Sequence, residues 1–426
     1  MRLVILFITA STVFASVGEQ FGASTRSMGL AGQATFDAKD PGNNFYMPAI
    51  LSDEDQTSIS YSSFYIASNF KEINNIVVDS PINSGGSTEV YGDVDPNIES
   101  SLYHVIHSSF KILKNYSSKL NLSLFIPTEK VLEADSGDPY RPEYVLYQSR
   151  FNRTQVLASY SQKFTHFSFS IGVLSGFQSS GETFVVAKDN GSTTPSSGKI
   201  QFNAKPSGAL NFSIYKESTF GKSYFSFQDE MKSKLENKAQ GYTPIGTSPI
   251  NFSWDLNSLL FYDPQVIRLG HNYKKFTFTL EYQNWDGYEA PTLKLKANNN
   301  STLISSLNNK NFETRSVFIP RLSYQLSDFS FGAFYRPSPL KLKKGASGNS
   351  VDSDIASISL GYRIKLALLG QDFHFDTSFM AQHLMTQEVT KSENRENGEA
   401  GQKIGASNYE VGGEIYALSI GLSWVI

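Results

Sequence analysis

The strongest constraint in this sequence is a two-residue alternation of large apolar and small polar side chains that recurs along its 426 residues. Phe276–Trp285 reads FTFTLEYQNW. Successive strand side chains point to opposite faces, so Phe276, Phe278, Leu280 and Tyr282 share one face and Thr277, Thr279, Glu281 and Gln283 the other. HFSFSIGV, KLNLSLFIP, SISLGYRIKL and the closing YALSIGLSWVI repeat the pattern. A helix does not produce this period.

The second face decides which kind of sheet this is. A small soluble barrel fills its inward face with Val, Leu and Ile, and a soluble sandwich charges its outward face. Here the second face is mostly Ser, Thr, Gly, Asn and Gln, which suits the lumen of a membrane barrel whose apolar face meets lipid. Charged residues are 18%, below the usual quarter or so, and aromatics reach 13%, led by 32 Phe and 22 Tyr. Runs of about ten residues are joined alternately by short connections, as at Lys274-Lys275 and Ser327-Asp328, and by long polar segments such as DNGSTTPSSGK and KSENRENGEAGQ. The count predicts an all-β fold, a transmembrane antiparallel β-barrel of about 14 strands. A secreted β-sandwich, propeller or β-helix is the alternative.

Several classes are excluded or disfavoured. Beyond the N-terminus no apolar run approaches the roughly 20 residues of a spanning helix. A net charge of −3 gives no reason to expect nucleic acid. With no cysteine there are no disulfides, thiolate metal sites or cysteine nucleophiles. His104 and His107, three apart in a strand, face opposite sides and cannot share a metal, and no G-x-S-x-G elbow or Walker loop is present. No cofactor, metal or enzymatic activity is expected.

The N-terminus, MRLVILFITASTVFA, has a positive Arg2, an apolar Leu3 to Ile8 and a small-residue site near Ala15, which reads as a signal peptide over residues 1–15 and predicts export to the outer membrane of a Gram-negative bacterium. Residues 16–55 precede the first convincing strand, near Thr57 to Phe70; residues 56–426 form the barrel. The upstream segment is too long for a leader and too apolar for a disordered tail. Gly22, Gly29 and Gly32 imply positive φ or close backbone approach, and Ser27 to Ala34 suggests a short helix. Such a segment can fill a wide barrel as a plug, loosely held against a polar, hydrated wall as a gate must be. Phe36, Phe45, Tyr46, Met47 and Leu51 offer contacts to an apolar ligand or to the inner wall, and Pro48 fixes the YMPA turn.

GASTRSMGLAGQATFDAKDPGNNFYMPAIL resembles the N-terminal hatch of FadL/TodX-type outer-membrane transporters of long-chain fatty acids and aromatic hydrocarbons. Gly22, Met28, Gly29, Ala31, Gly32 and Ala34 match the family's G-x-x-x-x-x-M-G-x-A-G-x-A pattern, and Pro48 and Ala49 match its Asn-Pro-Ala motif, with Met47 in place of the Asn. FNAKPSGALNFSIY, FYDPQVIRLGHNYKKFTFTLEYQNWDGY and FSFGAFYRPSP are similar to later strands of the family, less specifically. Ile426 stands where many barrels present a terminal Phe to the barrel assembly machinery.

The resemblance implies a monomer embedded in outer-membrane lipid that passes hydrophobic small molecules: a fatty acid, an aromatic hydrocarbon or a detergent-like compound. It implies a capture groove among the extracellular loops, an interior pocket and a hatch movement, with a sideways exit at a kink in the third strand, where Pro127 is the local breaker. Arg153, Arg321 and Arg363 have the parity of lumen residues and are candidates to pair with a carboxylate. The alternative function is a FadL-like barrel serving as a binding, scaffold or secretion-associated protein without transport.

Overall fold

The computed structural model describes residues 17–79, 89–94, 96, 100–112, 117–128, 144, 146–147, 155–176, 181–187, 196–204, 207–245, 248–288, 296–297, 312–344, 350–368, 371–390, 396–397, 403–406 and 409–426. The signal peptide and Arg153 lie outside them.

Fourteen antiparallel strands close a barrel. In chain order they are β1 (Ser58–Phe70), β2 (Ser101–Lys111), β3 (Ser118–Pro127), β4 (Gln155–Lys163), β5 (Ser168–Gly176), β6 (Ser207–Ser218) and β7 (Gly221–Gln228). The second half comprises β8 (Gln265–Tyr273), β9 (Phe276–Asn284), β10 (Val317–Leu326), β11 (Phe329–Arg336), β12 (Ile355–Leu368), β13 (Gln371–Val389) and β14 (Tyr409–Val425). Each pairs with its sequence neighbour, and β1 closes the ring on β14, from Ser58 opposite Val425 to Phe70 opposite Gly413. The expected strand count and the first strand's position are both met. Above the long-connection end, further strands pair outside the barrel, among them the hairpin of Met231–Ile245 and Ser248–Asp263.

The predicted alternation appears as exposure. Phe276 and Phe278 are 54% and 48% exposed, whereas Thr277, Thr279, Glu281 and Gln283 are all buried. His104 points outward and meets the Tyr61 hydroxyl at 2.6 Å, while His107 is buried inside. Aromatic pairs mark the short-turn edge of the apolar belt: Phe276–Tyr324, Phe329–Tyr362 and Phe373–Trp424. At the other edge stand Tyr282–Phe318 and Tyr416 beside the exposed His383–Glu414 pair. About ten tilted residues separate Trp424 from Glu414, a height of about 25 Å, the thickness a barrel's lipid belt needs. In outer-membrane barrels the short turns face the periplasm.

The lumen is filled by residues 17–53, so the plug lies inside the barrel as the sequence implied. Two short helices, α1 (Val17–Gln20) and α2 (Thr25–Gly29), and two 3-10 turns, Pro41–Asn44 and Pro48–Asp53, make up the plug. The helix lies slightly upstream of the Ser27 to Ala34 expectation because its signals lie there. Ser24 caps it reciprocally with Ser27, and Ala31 and Gly32 adopt φ of 62° and 67°, which ends it. All three glycines behave as their positions implied. Gly22 has φ +110°, and a Cβ at Gly29 would stand 2.8 Å from the Gly361 Cα of β12.

Candidate functional site

The hatch rests on a ring of wall hydroxyls and amides, which gives the polar inward face its purpose. Thr25 receives a hydrogen bond at its carbonyl from Ser378 (2.7 Å), donates its N–H to Ser62 (3.1 Å) and pairs its hydroxyl with Ser419 (2.7 Å). Ala31 N–H donates to Ser359 (2.9 Å), Gln33 to Ser323 (2.9 Å) and Ala49 N–H to Ser213 (3.0 Å). The Asn44 side chain donates to Ser123 (2.8 Å) and accepts from Ser159 (2.6 Å). His107 Nε2 meets the Ala23 carbonyl at 2.6 Å. The expectation of a loosely held plug against a hydrated wall is therefore corrected. Small polar residues leave room for backbone to approach the wall, and the same residues then bond it.

Two buried arginines complete the attachment. Arg321 on β10 donates to the carbonyls of Ala31 (2.7 Å) and Glu19 (3.1 Å) and approaches Glu281 at 3.5 Å. Its guanidinium also lies over the Phe334 ring at 4.6 Å. Arg321 thus holds the hatch, which corrects its assignment as a ligand-carboxylate receptor. Arg363 is bidentate to Asp376 (2.7 and 2.8 Å) and lines a vestibule, so its fork already has a carboxylate. On β8, Arg268 pairs through Nε with Glu281 (2.7 Å) and faces the Phe45 and Tyr46 rings at 5.3 and 5.7 Å.

Of the aromatic candidates, Phe36 meets Tyr224 of β7 at 5.5 Å, and Phe45 meets Phe125 of β3 at 5.6 Å and Tyr46 at 5.1 Å. Met47, Pro48, Ala49 and Leu51 are buried, as are Met28 and Ala31. These side chains occupy the lumen and pack on its wall. The amides closest in sequence to Met47 are those of Asn43 and Asn44, and both are bonded. Asn43 accepts from Thr35 N–H (3.0 Å) and donates to the Asp37 carbonyl (2.8 Å).

Toward the extracellular end, Arg336 of β11 donates to Gln20 of the hatch (3.1 Å), to the Tyr147 hydroxyl (2.8 Å) and to Asp352 (3.2 Å). Burial raises the Asp352 carboxyl above its ordinary range despite the nearby arginine. Tyr144 stacks on Phe70 at 4.3 Å and accepts from Gly412 N–H at 2.6 Å. Gly412 and Gly413 have φ of +151° and +129°, beside a break in the β13–β14 ladder between Leu384 and Gln387. That is the irregularity shown by the barrel wall's described ladders. Pro127 is the last residue of β3, opposite Tyr103, and the β3 ladders run in register on both sides.

At the short-turn end, a polar vestibule of about 560 Å³ lies between the hatch and β12–β14, lined by Arg26, Asp37, Lys39, Arg363, Lys365 and His374 among others. Arg26 and Asp37 pair at 2.5 Å. Burial would raise the Asp37 carboxyl, but the charge and hydrogen bond of Arg26 outweigh it and hold the group well below the usual range. An apolar groove of about 640 Å³ crosses the lipid-facing side of β10–β13 above Ala333, Ala356 and Ala381.

These features define a plugged membrane barrel of the outer-membrane type. No family model matches the sequence, and no curated protein matches it either. Among solved structures, a Pseudomonas aeruginosa FadL homologue is similar at a TM-score of 0.59 and 13% identity, covering 94% of this chain and 98% of the other. The P. putida toluene transporter TodX is similar at 0.51 and 10%, covering 96% and 99%. The chain has the fold of the FadL/TodX-type transporters.

Sequence reasoning missed Gln20, Asn44, Arg268, Glu281 and Arg336. Glu281 was readable as an inward charge in FTFTLEYQNW, and an inward acid inside a barrel requires a cation opposite it, which Arg268 supplies in register.

Proposed function

We propose that this protein is a transporter rather than an enzyme, carrying hydrophobic or amphipathic small molecules across the outer membrane of a Gram-negative bacterium, with the hatch as its gate. The observation that carries the reading is the buried hatch, which fills the lumen yet is attached mainly by hydrogen bonds through small wall residues. Each such bond contributes about 0.5–1.5 kcal/mol net, so releasing the whole hatch at once costs far more than a small ligand supplies. Opening therefore moves part of the hatch at a time, with α2 among the parts that must shift. The aromatic face of Phe36, Phe45 and Tyr46 gives an apolar solute a surface to replace wall contacts as it passes. The fold of the FadL homologue and of TodX supports the same reading, as do the exterior apolar belt and its aromatic edges.

Outer-membrane lipid is the surrounding solvent, the barrel assembly machinery the inserting partner and the monomer the working unit in this account. Long-chain fatty acids and monoaromatic hydrocarbons are the first solutes to try. The test is uptake of radiolabelled oleate and toluene by vesicles carrying the protein. Uptake above that of protein-free vesicles is expected for at least one solute, and equal rates for both refute the transport reading.

A further inference from the structure

The polar wall is satisfied unevenly. Unpartnered polar side-chain atoms occur elsewhere on the wall, at Ser58, Ser60, Ser118 and Gln155, but on β6–β8 they form a contiguous set. Among the described residues Arg268 has no hydrogen-bond partner for either Nη1 or Nη2, and the same holds for Ser226 Oγ, Gln228 Oε1 and both side-chain atoms of Asn211. All four residues are at most 1% exposed. The strand register gathers them: Ser226 lies opposite Arg268 across β7–β8, and Asn211 opposite Gln228 across β6–β7. The hatch meets Arg268 through the rings of Phe45 and Tyr46 and through the charge of Glu19. Buried polar atoms of this kind take a partner, either ordered water or a ligand.

We infer that this patch is a binding site for the polar end of a neutral, oxygen-bearing amphipath, such as a ketone, alcohol or ester, whose apolar body lies along Phe45 and Tyr46. This rests on the transport reading and names its substrate class. The free guanidinium nitrogens are donors and call for an acceptor oxygen. Local charge argues that the oxygen is uncharged. Arg268 and Arg321 are already balanced by Glu281, which contacts both, and by Glu19, which accepts from Gln228 at 3.4 Å and lies within electrostatic reach of Arg268. A carboxylate brought here adds an unbalanced negative charge to a buried cluster, which a carbonyl or hydroxyl does not. A pure hydrocarbon leaves the donors unpaired.

The chain lacks cysteine, so a single Ser226→Cys reports on this patch alone. The full-length variant in vesicles is labelled with a small methanethiosulfonate, and the rate is compared in the presence of decane, 2-decanone and decanoate. The expected result is that 2-decanone slows labelling at least fivefold while decane and decanoate change it less than twofold. A second reporter, Asn211→Cys, guards against local distortion at Ser226 and should show the same order. Protection by decanoate equal to or greater than that by 2-decanone overturns the neutral-ligand assignment. Protection by none of the three overturns the site and leaves water as its occupant, and a thiol that never labels overturns it because no solute of the reagent's size reaches the patch. Because the readout is labelling rather than uptake, the site can fail while transport stands, and transport can fail while the site stands.

Discussion

Placing one charge at two depths on the outer wall tests which face of the barrel meets lipid. Ile358 on β12 is 67% exposed and stands midway between Tyr362, at the short-turn aromatic edge, and Asp354, beyond the other edge. An arginine at mid-bilayer on a barrel's lipid face costs about 2–4 kcal/mol, falling to about 0–1 kcal/mol near the interfaces. Leu366, on the same face of the same strand and four residues past Tyr362, is 42% exposed and lies at the rim. Ile358→Arg should therefore weaken folding by about 2–4 kcal/mol, roughly 30- to 800-fold in the folding equilibrium, while Leu366→Arg should cost at most about 1 kcal/mol. Both are measured by urea titration of the protein in lipid vesicles, with the heat-modifiable band on gels as a second readout. Inward controls such as Thr279→Arg are unsuitable because Thr279 is buried beside the filled lumen. Equal costs at the two positions, or a larger one at Leu366, refute the placement of the lipid belt.

Three further outcomes follow from the hatch. Arg321→Met should leave the barrel folded but expose the hatch to protease at least several-fold faster, because the carbonyls of Ala31 and Glu19 lose their donor and Glu281 loses one of its two cations; unchanged protection contradicts the anchoring role. Gly22→Ala should destabilise the hatch locally by about 1–3 kcal/mol, since φ is +110° there and the new Cβ would stand 2.7 Å from the Met28 nitrogen; hydrogen exchange in α2 reports it. The Asp37 carboxyl is depressed in the folded state, so its stabilisation of the closed hatch is present above the ordinary carboxylate pKa and is lost only as pH falls through the lower folded value. Hatch accessibility should therefore stay flat from about pH 8 to about pH 5 and rise only below about pH 4, and Asp37→Asn should raise accessibility already at neutral pH; a rise near pH 6 in the parent protein contradicts the assignment.

The barrel was legible in the sequence because a membrane strand carries its inside and outside in alternate residues, so FTFTLEYQNW alone orients its segment of wall. The hatch was legible for a different reason. Gly22 and Gly29 mark backbone where an added Cβ would collide, Gly32 takes a left-handed φ, and their spacing survives in the sequence. How tightly the hatch is held was not legible, because Ser62, Ser359, Ser378 and Ser419 read as generic lumen polarity until their partners are known. The arginines show the same limit. Parity placed Arg321 and Arg363 correctly inside, but a partner such as Asp376 on the next strand or a carbonyl in the hatch is set by register, which a single sequence does not reveal. Arg268 was passed over although it has the same inward parity, and its free nitrogens become apparent only when the whole ring of partners is laid out.

The measurement that bears most directly on the central claim is uptake with the hatch locked. The hydroxyls of Thr25 and Ser419 meet at 2.7 Å, and the chain contributes no other thiol, so Thr25→Cys with Ser419→Cys should form a single bridge between α2 and the wall. Vesicles carrying the oxidised double variant are expected to take up labelled oleate or toluene at less than a tenth of the parent rate, and reductant should restore it. Full uptake with the bridge verified as formed would contradict the claim that solutes pass by moving the hatch.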